Sequence, residues 1–188
     1  NIEVGKKIIL MPGRLTELKG QELLIESLNI LKTNFGYKNF VAIILGSDQG
    51  RDAYKKKLLR LVEQHRLNND VIFLEHANSM PVAYSIANVV VSASIEPEAF
   101  GRVSVEAQSM KRPIIASDIG GSKETIIDNR TGLLFKSEDP KSLSEKIDNI
   151  FRSDDTTLNA MGNSGRKNVE QKFNVEKMCF STYSEYKK

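Results

Sequence analysis

The chain has 188 residues, 40% hydrophobic and 27% charged, with 12 glycines and 5 prolines. That balance excludes disordered, collagen-like and coiled-coil chains, and the length suits one domain able to bury a sizeable core. Twenty-seven Lys and Arg against 24 Asp and Glu leave a net charge of +3, too small to point to nucleic acid but compatible with a local basic site for an acidic ligand.

In chain order, Lys7–Met11 is a short apolar strand. Gln21–Asn34 follows as a helix that carries Leu24, Leu28 and Leu31 on one face, and Phe40–Leu45 is the next strand. The pattern recurs as helix Ala53–Arg66, strand Val71–Leu74, short helix Ser79–Ala87 and strand Val89–Ser92. Beyond these come helix Val103–Met110, strand Pro113–Ala116, a short helical stretch around Glu124–Ile127, strand Leu133–Phe135 and helix Leu143–Phe151. Strands that are unbroken apolar runs are buried on both faces, so their alternation with helices predicts an α/β, Rossmann-like, doubly wound parallel sheet. The final forty residues read differently: Ser153–Ser164 is polar and strandless, while Arg166–Phe173 and Val175–Tyr186 read as charged amphipathic helices. No apolar run approaches the roughly 20 residues needed to span a bilayer, and no export signal is present. Cys179 is the only cysteine, which rules out an internal disulfide and sits easily with a reducing cytosol. The chain opens without an initiator Met, leaving room for an upstream segment.

Open parallel sheets bind ligands beyond the carboxyl ends of their strands, so chemistry is sought in the loops there. The first, Pro12–Gly20, holds Arg14 and Lys19. Lys19 falls near a helix start, where the macrodipole disfavours a cation unless an anion is close, and a phosphate would supply one. The loop lacks the Lys-Ser/Thr ending of a P-loop and the three spaced glycines of a dinucleotide fingerprint. The second loop, Glu96–Ala107, places Glu98 and Glu106 eight residues apart around a helix start. Gly101 would let a ligand approach the backbone, and the free amides of the turn could hold phosphate oxygens. Glu106 shares a helical stripe with Val103, Ala107 and Met110, so it needs donors, either sugar hydroxyls or a protein partner such as arginine. Gly120-Gly121 could serve a ligand or simply a tight turn. No spacing of His, Asp or Glu suggests a metal, and no nucleophilic Ser or Cys motif occurs.

Jointly, Gly13-Arg14 with Lys19-Gly20, the Glu98-x7-Glu106 segment with its Phe100-Gly101, and Gly120-Gly121 before Glu124 resemble the retaining nucleotide-sugar glycosyltransferases of group 1. The resemblance spans about residues 6–152 and is to the carboxyl-terminal, donor-binding domain of a two-domain GT-B enzyme. It implies that Arg14 and Lys19 hold the donor diphosphate and stabilise the departing nucleotide. It further implies that Gly13 lies beside the donor, and that Phe100, Gly101 and Val103 offer amides to phosphate and sugar. In the same resemblance Glu106 binds the ribose, Glu98 faces the transferred sugar, and Glu75 and His76 lie beside the base. The implied cofactor set is empty: the nucleotide sugar is substrate and no metal is required. The implied partners are a sugar, lipid-linked or polysaccharide acceptor and an amino-terminal domain of the same protein, in a cytoplasmic setting or at the inner face of a membrane through that domain. Met110-Lys111-Arg112-Pro113 departs from the family, which usually has a small residue and glycine before the proline, and Ala93-Ser94 stands where Pro-Ser is common. A noncatalytic nucleotide-binding or regulatory module and a sugar-nucleotide epimerase are the competing readings, because fold alone does not fix function.

Overall fold

The structure is a computed structural model and describes residues 2–50 and 52–187. Six parallel strands, β1 (Lys7–Pro12), β2 (Phe40–Leu45), β3 (Val71–Leu74), β4 (Val89–Ser92), β5 (Ile114–Ser117) and β6 (Leu133–Phe135), form one sheet in the order β3-β2-β1-β4-β5-β6. Between them run α1 (Gln21–Thr33), α2 (Asp52–Gln64), α3 (Met80–Ile86), α4 (Arg102–Ser109) and α5 (Ser122–Thr125). Three more helices, α6 (Pro140–Arg152), α7 (Asp155–Lys172) and α8 (Val175–Tyr186), follow the sheet.

The two-residue period of the strands sorts their side chains into two cores. Ile9, Met11, Ala42, Ile44, Val89, Val91 and Ile115 point to one face, where they meet Leu24 and Leu28 of α1, Leu58 of α2 and Leu143 and Ile147 of α6. Leu10, Ile43, Leu45, Val90, Ile114 and Ala116 point to the other, against Tyr84 of α3 and Ala107 of α4. All six residues of β2 are consequently buried, as a strand covered on both sides must be. Ile44, fully inaccessible, cannot be shortened without leaving a void. Ile44→Ala is expected to lower unfolding free energy by about 3 kcal/mol, read as a shift of the urea midpoint with an unchanged slope.

The polar stretch 153–164 holds no strand, as its composition predicts; from Asp155 onward it is helical and continuous with the next stretch in α7. Asp154 caps it, its carboxylate accepting from the Thr157 amide at 2.7 Å. Two glycines of α7 allow close packing: a Cβ at Gly162 would lie 2.4 Å from the Lys111 carbonyl oxygen, and one at Gly165 would lie 3.0 Å from Cγ of Gln108. Asn168 of α7 completes this contact by donating to the Gln108 side chain at 3.1 Å and to the Thr125 carbonyl at 3.0 Å.

β1 is flanked by β2 and β4, and the connections leaving β1 and β4 go to opposite faces of the sheet. The sheet therefore opens a crevice beyond the carboxyl ends of these two strands, where the two motif-bearing loops meet.

Candidate functional site

The loop after β1 ends in a 3-10 turn, Glu17–Lys19, that leads through Gly20 into α1. Gly20 has φ 72°, and a Cβ there would lie 2.0 Å from the carbonyl oxygen of Ala93, at the end of β4. Only glycine permits both the left-handed backbone and that approach. The Ile95 amide donates to the Leu18 carbonyl at 2.9 Å, so the loops after β1 and β4 are joined backbone to backbone. The buried Gln21 steadies the first loop, donating to the Arg14 carbonyl at 2.8 Å and accepting from the Tyr54 hydroxyl at 3.2 Å. The Arg14 side chain is exposed above this support and forms no ion pair among the described residues.

Across this junction Lys19 Nζ donates to Glu98 Oε1 at 2.7 Å, with each side chain about one quarter exposed, and the Ser94 hydroxyl donates to the same carboxylate oxygen. Lys19 thus has a carboxylate of the protein as its partner beside the helix start. Burial pushes the Glu98 carboxyl upward, but the Lys19 and Ser94 hydrogen bonds and the ammonium charge outweigh it and hold the group below the ordinary glutamate value of 4.5.

Gly101, φ 75°, is the residue that starts α4. The amides of Ser104 and Val105 donate back to its carbonyl, while those of Arg102 and Val103 have no backbone acceptor among the described residues. Two donors are left at the positive end of the helix. Val103 itself is half-buried against the second core. The Gly120-Gly121 pair serves the protein's own backbone: a Cβ at Gly120 would lie 2.7 Å from the Glu98 carbonyl oxygen, one at Gly121 would lie 2.6 Å from the Phe100 carbonyl carbon, and the Gly121 amide donates to the Glu98 carbonyl at 2.7 Å. The pair holds the Glu98–Phe100 loop from beneath. The Phe100 ring, 45% exposed, meets Phe173 edge to face at 5.6 Å, so the junction of α7 and α8 packs onto the same loop.

Glu106 is half-buried and takes protein donors, the Tyr84 hydroxyl at 2.7 Å and Arg102 at 3.0 Å. Glu75 and His76 are exposed in the loop after β3, at the sheet edge, where Glu75 pairs with Lys55 at 3.1 Å. The structure therefore brings Lys19, Glu98 and Ser94 into direct contact, and it holds Glu106 and Glu75 in separate pairs. Tyr84, Gln21 and Phe173 escaped the sequence reading. Each lies among apolar or helical residues with no local motif to single it out.

The family described as glycosyl transferases group 1 matches residues 1–168. The chain belongs to that family. The domain is 30% identical over 164 residues to the capsular polysaccharide biosynthesis glycosyltransferase CapM of Staphylococcus aureus, covering 87% of this chain and 41% of CapM. The crystal structure of a glycosyltransferase from Rickettsia africae ESF-5 matches it with TM-score 0.90 at 31% identity, covering 98% of this chain and 48% of that one. The separately crystallised C-terminal domain of a group 1 glycosyltransferase, LpcC of Francisella tularensis, matches with TM-score 0.79 at 27% identity, over 91% of this chain and 88% of that domain. The expected fold is thereby established as the Rossmann-like half of a GT-B architecture, and the chain spans less than half the length of CapM and of the Rickettsia africae glycosyltransferase. No helix among its described residues is long and apolar enough to cross a membrane.

Proposed function

We propose that this glycosyltransferase domain binds the diphosphate of a nucleotide sugar in the crevice beyond β1 and β4, and that the complete protein transfers the sugar with retention to an acceptor. The observation that carries the reading is the meeting of Lys19 and Glu98 at the junction of the two loops. Departure of the nucleotide builds negative charge on its diphosphate. Arg14, Lys19 and the amides at the start of α4 are cations and dipoles placed to stabilise that charge as it develops. Gly13, Phe100, Gly101 and Val103 form the backbone rim of this anion site. Glu98 is the group to orient the transferred sugar, Glu106 to accept from the ribose, and Glu75 with His76 to border the base. Charge stabilisation by these groups leaves no step that needs a divalent metal.

A sugar, lipid-linked or polysaccharide acceptor would be bound by an amino-terminal domain closing over the crevice, which excludes water from the reaction. The role of CapM in capsular polysaccharide biosynthesis favours the polysaccharide class. Val175, Met178, Phe180 and Tyr183 of α8 are exposed, a face suited to packing against such a domain. The setting is the cytoplasm or the inner face of a membrane, where nucleotide sugars are available.

A protein of the same fold, Anabaena HepE, has been crystallised with UDP-glucose at 24% identity and TM-score 0.88, so UDP sugars are the first ligands to try. Calorimetric titration with UDP, ADP, GDP and their sugar conjugates, with and without Mg²⁺, is expected to show saturable binding to one base series irrespective of metal. Arg14→Ala and Glu106→Ala should each weaken it about tenfold or more. A folded chain that binds none of these nucleotides would refute the reading.

A further inference from the structure

The carboxylate of Glu106 sits between two donors of unequal standing. Its Oε2 accepts from the Tyr84 hydroxyl at 2.7 Å, and its Oε1 from Nη2 of Arg102 at 3.0 Å. Tyr84, on α3, is 2% exposed and locked into the second core. Burial first, then the hydrogen bond to Glu106 and its charge, push the phenol well above its ordinary value, so it remains a proton donor throughout the neutral range. Arg102 is 83% exposed. It occupies the first turn of α4, where the helix dipole disfavours a cation, and an arginine four residues before a glutamate is the weaker order for such a pair. One donor is therefore fixed and the other is held loosely. Beside them a hollow of about 350 Å³ opens between α3 and α4, walled by Met80, Pro81, Ser109 and Met110 and by Tyr84, Arg102 and Glu106 themselves.

We propose that Tyr84 is the positioning residue for the nucleoside: it pins Oε2 of Glu106 to α3, leaving Oε1 to accept from a ribose hydroxyl in the place now taken by Arg102. Arg102 is a placeholder that keeps the carboxylate paired until a nucleotide enters. The proposal rests on the reading of Glu106 as the ribose acceptor. It extends that reading to a residue 22 positions earlier in the chain and predicts where discrimination between ribose and deoxyribose originates.

Calorimetry on the 188-residue chain, Tyr84→Phe and Glu106→Gln with UDP, 2′-deoxy-UDP and 3′-deoxy-UDP, or with the ADP or GDP series if that is the one bound, separates the possibilities. The parent chain is expected to prefer the ribonucleotide about tenfold over at least one deoxy form, the loss expected for a hydrogen bond to a charged group. Tyr84→Phe should bring that ratio close to one while leaving the deoxynucleotide affinity unchanged, a pattern that a purely structural role would not produce. A Tyr84→Phe chain that keeps the ratio, or loses affinity for both nucleotides alike, overturns the proposal. A parent chain with no ribose preference, or a Glu106→Gln chain that retains it, overturns the Glu106 reading and with it this extension.

Discussion

Replacing Lys19 by methionine is expected to lower transfer by the complete enzyme about 100-fold or more, the scale seen when one preorganised electrostatic donor is removed. Methionine keeps most of the aliphatic stem and removes only the ammonium. The substitution has a second consequence in the domain alone, because it leaves the half-buried Glu98 with Ser94 as its sole side-chain donor among the described residues. The sign follows from the depressed carboxyl. A glutamate held below its ordinary value of 4.5 in the folded state contributes stability that is fully present above that value and is lost as pH falls through the folded one. Lys19→Met should therefore cost about 2 kcal/mol at pH 7, and the gap to the parent should close as the pH is taken below 4. Urea melts across that range test it, and a difference that stayed constant with pH would mean that the ammonium does not act through Glu98. Adding Glu98→Gln completes a double-mutant cycle, in which a non-zero coupling energy at neutral pH is expected.

Gly20→Ala is the second large effect, and it acts through the backbone. The new methyl would be placed 2.0 Å from the Ala93 carbonyl oxygen, on a residue whose φ is already 72°. Either the loop after β1 or the end of β4 must shift, and both are anchored, the first by Gln21 and the second by the Ile95 to Leu18 hydrogen bond. A loss of about 3 kcal/mol or more in unfolding free energy is expected, combining overpacking with left-handed strain. A displacement large enough to relieve the clash would also part Lys19 from Glu98, so nucleotide affinity should fall with stability. An Ala variant with the parental melting temperature would show that the junction of the two loops yields readily. By contrast, Gly36 has φ 75° with open space around its Cβ position, so Gly36→Ala should incur only the backbone strain.

The alternation of strands and helices was legible in the sequence, because strands such as Phe40–Leu45 are unbroken apolar runs and helices such as Gln21–Thr33 repeat their leucines at helical spacing. Both are local signals. The Glu98-x7-Glu106 segment was legible for the same reason: one loop and one helix start carry it, and jointly with the Gly13–Gly20 loop and Gly120-Gly121 it indicated the family. What local pattern could not supply was the pairing of side chains far apart in the chain. Lys19 and Glu98, separated by 79 residues, meet because β1 and β4 are neighbours at the point where the sheet reverses its order. That adjacency gives Lys19 an ion-pair partner that no local pattern marks.

The glycines show the same division. Gly120-Gly121 suits a ligand's approach or a tight turn equally, and nothing local marks Gly162, since intrinsic propensity is all that the sequence displays. The fold reveals that they let α5 and α7 press against the backbone at Glu98, Phe100 and Lys111. Composition and periodicity therefore determined the class of fold and the loops in which to look. The tertiary structure decided which donors each carboxylate receives, because a buried charge is matched by whatever group the packing brings within hydrogen-bonding distance, at any separation along the chain.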